Sequence, residues 1–153
     1  TIESNIKLHG DISSEEALAA VDFVNAEFVH KLPNGLQEKV TERGSTFSSG
    51  QRQLIAFART MATDPKILVL DEATASIDTE TEVAIQQSLN KMRKGRTTIA
   101  IAHRLSTIQD AEHILVLHQG EIVEYGNHQE LLAKEGLYHK MYLLQNGLPD
   151  AMK

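Results

Sequence analysis

The chain has 153 residues, a length that fits one ordinary domain with a sizeable core. Its 15 basic and 21 acidic residues leave a formal charge of −6, which argues against nucleic acid as a partner over its whole surface, and the lack of cysteine removes disulfides, thiolate metal sites and cysteine nucleophiles. The longest apolar runs, Ala17 to Val21 and Leu54 to Ala58, have five members, against the roughly 18 a membrane-spanning helix needs, and no signal-peptide pattern occurs.

Residues 1–12 show no strong periodicity, and Gly10-Asp11 reads as a turn. Ser13 and Glu16 have capping-box spacing, and Leu18, Val21, Val24 and Phe28 recur at helical intervals, predicting a helix over about 14–31 that stops at Leu32-Pro33-Asn34-Gly35. A polar loop continues to Ser49. From Gly50 the pattern is helical again, with Leu54, Ile55, Ala58 and Met61 on one face, until Asp64-Pro65 ends it. Ile67-Leu68-Val69-Leu70 has the two-sided apolar character of a fully buried parallel strand. Thr79 and Glu82 form another capping pair, opening a helix to about Arg93 with Ile85, Leu89 and Met92 inward, closed by Gly95. Thr97 to Ala102 reads as a second buried strand ending at His103, followed by a helical turn near Ser106–Asp110. Strands Ile114–Leu117 and Ile122–Tyr125 flank a turn at His118-Gln119-Gly120-Glu121. Asn127 caps a helix facing inward with Leu131 and Leu132, Gly136 ends it, and a last helix covers about 137–146. Strands alternating with helices from residue 66 onward predict an α/β fold with a mainly parallel sheet, preceded by a separate helical region.

Three groups of residues suit phosphate chemistry. The strand at 67–70 delivers Asp71 and Glu72 to its carboxyl end, where open parallel sheets bind ligands. There Asp71 would hold Mg2+ at nucleotide phosphates and Glu72 would orient or deprotonate water, although buried strands also end in solvated acids. Thr46-Phe47-Ser48-Ser49-Gly50-Gln51 places small residues before an amphipathic helix, so backbone amides and the positive helix end could face an anion. A serine-rich N-cap does the same with no ligand. His103 could donate to a terminal phosphate or be a satisfied loop histidine. The other six histidines lack metal-ligand spacing.

In order and spacing these groups resemble the nucleotide-binding domain of ABC transporters. Phe47-Ser48-Ser49-Gly50-Gln51 is similar to the signature motif, and Ile67 to Glu72 to the Walker B strand with its catalytic glutamate. Ala75-Ser76-Ile77-Asp78 is similar to the D-loop, and Ala102-His103-Arg104 to the switch-histidine loop. Thr41-Glu42-Arg43-Gly44 resembles the loop that touches the transmembrane domains' coupling helices in exporters. Asp71-Glu72-Ala73-Thr74 and Ala102-His103-Arg104-Leu105-Ser106 resemble the exporter branch. No Gly-x-x-x-x-Gly-Lys-[Ser/Thr] occurs among the nine glycines.

The resemblance implies a P-loop NTPase-like α/β fragment. Residues 1–65 would form the helical signature subdomain, and 66–153 the C-terminal part of the RecA-like catalytic core. It implies ATP and Mg2+ as cofactors, with Asp71 serving the metal, Glu72 the water and His103 the γ-phosphate. Ser48, Ser49, Gly50 and Gln51 would reach the nucleotide held by a second ABC subunit, and Asp78 would link the two sites. Thr41, Glu42, Arg43 and Gly44 would meet the transmembrane domains at the cytoplasmic face of the cell membrane. This chain alone would not hydrolyse ATP. Two other readings are a non-catalytic interaction fragment and the ATPase of a soluble ABC protein. The latter is disfavoured by the absence of a basic arm or long coiled-coil insertion. Ser49 stands where the family commonly has glycine and Phe47 where it has leucine. Should the Ser49 position need a positive φ, the serine would be strained. A weakened signature beside an intact glutamate favours a heterodimeric exporter.

Overall fold

The computed structural model describes residues 1–8, 10–41, 44–71, 79–102 and 104–147. It divides into two compact units, Thr1–Leu70 with Thr74–Ile99, and Asp71–Ala73 with Ala100–Lys153.

The first unit is mainly helical. Helix α1, Ile2–Lys7, was not expected from periodicity. Thr1 caps it through a reciprocal box with Ser4, and Ile2 and Ile6, one turn apart, are buried. Glu3 on this helix pairs with Lys7 at 2.8 Å and also bonds Ser14 and Gln37. Those hydrogen bonds, with the Lys7 charge, hold its carboxyl down at about 2. Helix α2, Ser14–Phe23, carries the expected Ser13/Glu16 box but stops eight residues before the predicted end at residue 31. Asn25 takes the left-handed conformation at φ 52°, the Ala26 amide bonds the Val21 carbonyl at 3.0 Å, and the Asn25 amide bonds Asp22 at 3.1 Å. That is a Schellman stop, with Val21 and Ala26 both buried, and only a 3-10 turn, Glu27–Lys31, follows. Leu18, expected inward, is exposed, while Ala17 and Ala20 face the core.

Helix α3, Ser49–Met61, buries the predicted face of Leu54, Ile55, Ala58 and Met61. Arg59 ties it to α1 by donating to the Asn5 carbonyl at 2.7 Å. Helix α4, Thr79–Arg93, buries Ile85 and Met92 as expected. Its buried Ser88 hydroxyl lies 2.5 Å from the Val24 carbonyl and 2.7 Å from its own Ala84 carbonyl, which satisfies a polar group that would otherwise be costly there.

Strands β1, Ile67–Asp71, and β2, Thr97–Ile101, pair in a small parallel sheet through the α4 crossover, the α/β arrangement expected. The predicted full burial is not present. Leu68 is 2% exposed, but Ile67 and Val69 are 61% and 63% exposed, and Ile99 and Ile101 are also open. Two strands leave an apolar face uncovered unless another layer packs on it.

In the second unit, strands β3, Ile114–His118, and β4, Glu121–Gly126, form an antiparallel hairpin rather than extending the parallel pair. Gln119 and Gly120 in the connecting turn both have positive φ, as tight two-residue hairpin turns require. Helix α5, His128–Ala133, has the expected Asn127 cap, boxed with Glu130, and buries Leu131. Helix α6, Leu137–Gln145, is capped across the unit: the Glu124 carboxylate accepts from the Leu137 amide at 2.6 Å and the Tyr138 amide at 3.0 Å. A Cβ on Gly136 would stand 1.9 Å from that carboxylate, so glycine is what lets it dock. Tyr138 is buried and its hydroxyl lies 2.8 Å from His128 Nδ1.

Candidate functional site

The segment from Thr46 to Gln51 leads into α3. Ser48 has extended backbone and its Oγ accepts from the Gln51 amide at 3.1 Å, while its own amide donates to Gln51 Oε1 at 3.0 Å. The serine-rich N-cap is therefore real, and it occupies Gln51 Oε1. It leaves the Ser48 hydroxyl proton, on an exposed residue, and the Gln51 amide nitrogen able to donate outward. No acid sits in the first turn of α3, so the positive helix end is not offset locally. Gly50 is buried and Ser49 half-buried. Ser49 is the first helical residue of α3 and has no positive φ, so the conformational strain foreseen for it is absent. Phe47 is buried against the core, its ring 5.9 Å from that of Phe28. The larger side chain thus anchors the loop from below.

The loop before it is also ordered by hydrogen bonds. The Gly44 amide donates to the Thr41 carbonyl at 2.8 Å, and the Phe47 amide donates to the Gly44 carbonyl at 2.9 Å. The Thr41 and Ser45 hydroxyls are 3.0 Å apart. Arg52, which no sequence motif singles out, turns back onto this loop and bonds the Phe47 carbonyl at 2.5 Å. The usable signal was a glycine inside a polar loop, eight residues before an arginine in the first turn of a helix.

Asp71 is the last residue of β1 and is exposed. Glu72, Asp78, His103, Glu42 and Arg43 lie outside the described residues, so Asp71, Ser48, Ser49, Gly50, Gln51, Thr41 and Gly44 are the site residues with described surroundings.

The ABC transporter family profile matches residues 2–75. A Streptococcus pneumoniae ABC transporter ATP-binding protein, exp8, is 63% identical over 148 residues, covering 96% of this chain and 25% of the relative. The Bacillus subtilis multidrug resistance ABC transporter ATP-binding/permease protein YheH is 58% identical over 149 residues, covering 96% of this chain and 22% of the relative. The structure of a bacterial Atm1-family ABC exporter with ATP bound superposes with a TM-score of 0.83 at 44% identity, covering 95% of this chain and 26% of that one. This chain belongs with the ATP-binding domains of ABC transporters, and the relatives it matches include exporters. It spans about a quarter of the length of the curated relatives it matches. Among the described residues no helix is long and apolar enough to cross a membrane.

In an ABC ATP-binding domain the residues above must suit Mg2+ and nucleotide. Magnesium at nucleotide phosphates takes one or two protein carboxylates and keeps several waters. Asp71, exposed at the carboxyl end of a parallel strand, fits a single-carboxylate role of that kind. Among the described residues no group of three or more His, Asp or Glu offers an all-protein cage, and a phosphate-borne metal needs none. Ser48 at the open end of α3 fits a phosphate oxygen, which an O–H donor beside a positive helix end would hold.

Proposed function

We propose that this chain supplies the signature face and the Walker B side of the ATPase that drives an exporter-type ABC transporter at the cytoplasmic face of a cell membrane. In this reading residues 1–65 act as the helical signature subdomain and 66–153 as the C-terminal part of the RecA-like core. The observation that carries it is the start of α3, where an exposed, capped serine stands at a helix end free of acids in its first turn, within a sequence 63% identical to an ABC ATP-binding protein. MgATP, when bound, supplies the phosphoryl group and the metal's charge. Asp71 holds the metal, Glu72 takes the proton from the attacking water, and His103 donates to the transferred phosphate.

Ser48, Ser49, Gly50 and Gln51 contact the nucleotide seated in a second subunit, and Asp78 links the paired sites. Thr41 to Gly44 meet the transmembrane domains. The second subunit is a different chain in this reading: Ser49, unstrained, still puts a side chain where the family's glycine leaves room for phosphate. By itself the chain does not turn over ATP, since it contains no phosphate-cradling Gly-x-x-x-x-Gly-Lys loop.

Glu72→Gln in the transporter that carries this segment tests the assignment. The amide positions water but cannot accept its proton, so turnover should fall by about 10²-fold or more while nucleotide affinity holds. Near-normal turnover would remove Glu72 from the role of base.

A further inference from the structure

We propose that Arg52 is a positioning residue that fastens the loop ending at Gly44 to the start of α3, so that the two move as one body. This rests on the reading of Ser48 to Gln51 as nucleotide-facing and of residues 41–44 as the contact to the transmembrane domains. Arg52 lies in the first turn of α3, its amide bonded to the Ser48 carbonyl at 3.0 Å. Its guanidinium doubles back past that N-cap, with Nη1 2.5 Å from the Phe47 carbonyl and 3.4 Å from the Gly44 carbonyl. A guanidinium is a rigid, permanently charged fork, and its bonds to carbonyls are stronger than neutral ones.

The backbone is built around this side chain. Gly44 is buried with φ +63°, and a Cβ on it would stand 2.9 Å from Arg52 Cδ and 3.4 Å from Cγ. Glycine there meets two demands at once, a left-handed backbone and room for the arginine stem. The carbonyl of Gly44 receives the Phe47 amide at 2.9 Å, and its amide reaches back to Thr41 at 2.8 Å. The Phe47 ring is pinned against Phe28. A continuous chain of bonds thus runs from Thr41 through Gly44 and Phe47 to Arg52, and from there to the Ser48 carbonyl. A shift imposed at residues 41–44 reaches Ser48 through that chain, and without the guanidinium the loop can swing on its own.

The test compares Arg52→Ala and Arg52→Lys in two settings. In this chain, amide hydrogen exchange at Phe47 should speed up about tenfold in Arg52→Ala, with Ala58 deeper in α3 unchanged, and Arg52→Lys should fall between because it reaches one carbonyl at most. In the transporter that carries the segment, Arg52→Ala should lower kcat about tenfold with KM for ATP within about twofold, and Arg52→Lys should restore part of it. Ser48→Asp separates the positioning role from the nucleotide contact, because aspartate keeps the N-cap while placing a negative charge where phosphate would sit. If Ser48→Asp abolishes turnover while Arg52→Ala leaves both kcat and Phe47 exchange unchanged, the positioning role is overturned and the nucleotide-facing reading stands. If Ser48→Asp is also without effect, the nucleotide-facing reading fails and the positioning role falls with it.

Discussion

The helices and the strands of this chain treat the same kinds of side chain in opposite ways. Helices α1, α2, α3 and α5 each begin with a reciprocal capping box, and α1 to α3 bury nearly every apolar residue on their inner faces. The strands among the described residues carry Ile67, Val69, Ile99, Ile101, Leu115, Leu117, Ile122 and Val123 into solvent. A helix closes its hydrogen bonds within itself and needs one packed face. A strand borrows both its bonds and its cover from neighbours, so its burial depends on residues far away in sequence. The region offering a candidate phosphate contact at its surface, the start of α3, is therefore built by local chemistry, whereas Asp71 hangs on a strand whose surroundings are long-range.

That contrast can be broken most sharply at two small apolar positions. Ala58→Asp puts an unpaired carboxylate at a fully buried site on α3 and should cost about 3–5 kcal/mol, enough to lower the midpoint of the thermal transition by about 10 °C. Val69→Asp, on the open face of β1, should leave the transition in place and reduce self-association, read by light scattering. Equal losses from both would erase the distinction.

A smaller effect probes α6, a helix whose cap is long-range. Gly136→Ala drives a methyl into the Glu124 carboxylate that holds the first amides of α6, and should cost about 1–3 kcal/mol by denaturant unfolding. Adding Glu124→Ala should then cost little more, because the bond is already lost. Full additivity would contradict the shared contact.

The least costly perturbation is pH. The Glu3 carboxyl is depressed from 4.5 to about 2 by its bonds to Lys7, Ser14 and Gln37. A depressed carboxyl stabilises the fold above its unfolded pKa, and that contribution is lost as pH falls from about 4.5 toward 2. Glu3→Gln should flatten the stability profile in that window by lowering stability at neutral pH toward its acid value, with little effect below about pH 2. Superimposable acid-unfolding curves would show that the α1 tether carries no stability.

Legibility followed the same division. The Ser13/Glu16 and Asn127/Glu130 boxes and the Leu54, Ile55, Ala58, Met61 face are short-range patterns and appear where expected. Helix α1 escaped because its box uses Ser4 in place of an acid or amide, and because six residues are too few for periodicity. The stop after α2 turned on the tolerance of Asn25 for φ 52°, which periodicity does not register. The strands were located correctly, but their apolar runs carry no information on whether a second layer is present. Arg52 was invisible as a partner for Gly44 because its contacts depend on a loop conformation that only the left-handed glycine creates.

On the proposed function, this chain contributes contacts to a nucleotide held mainly by other residues. Isothermal titration of the 153-residue chain with MgATP addresses it directly. No saturable binding tighter than about 1 mM is expected, since a capping serine and one exposed carboxylate provide only a few of the contacts an ATP site needs. Saturable binding at about micromolar concentration, with one nucleotide per chain, would contradict it.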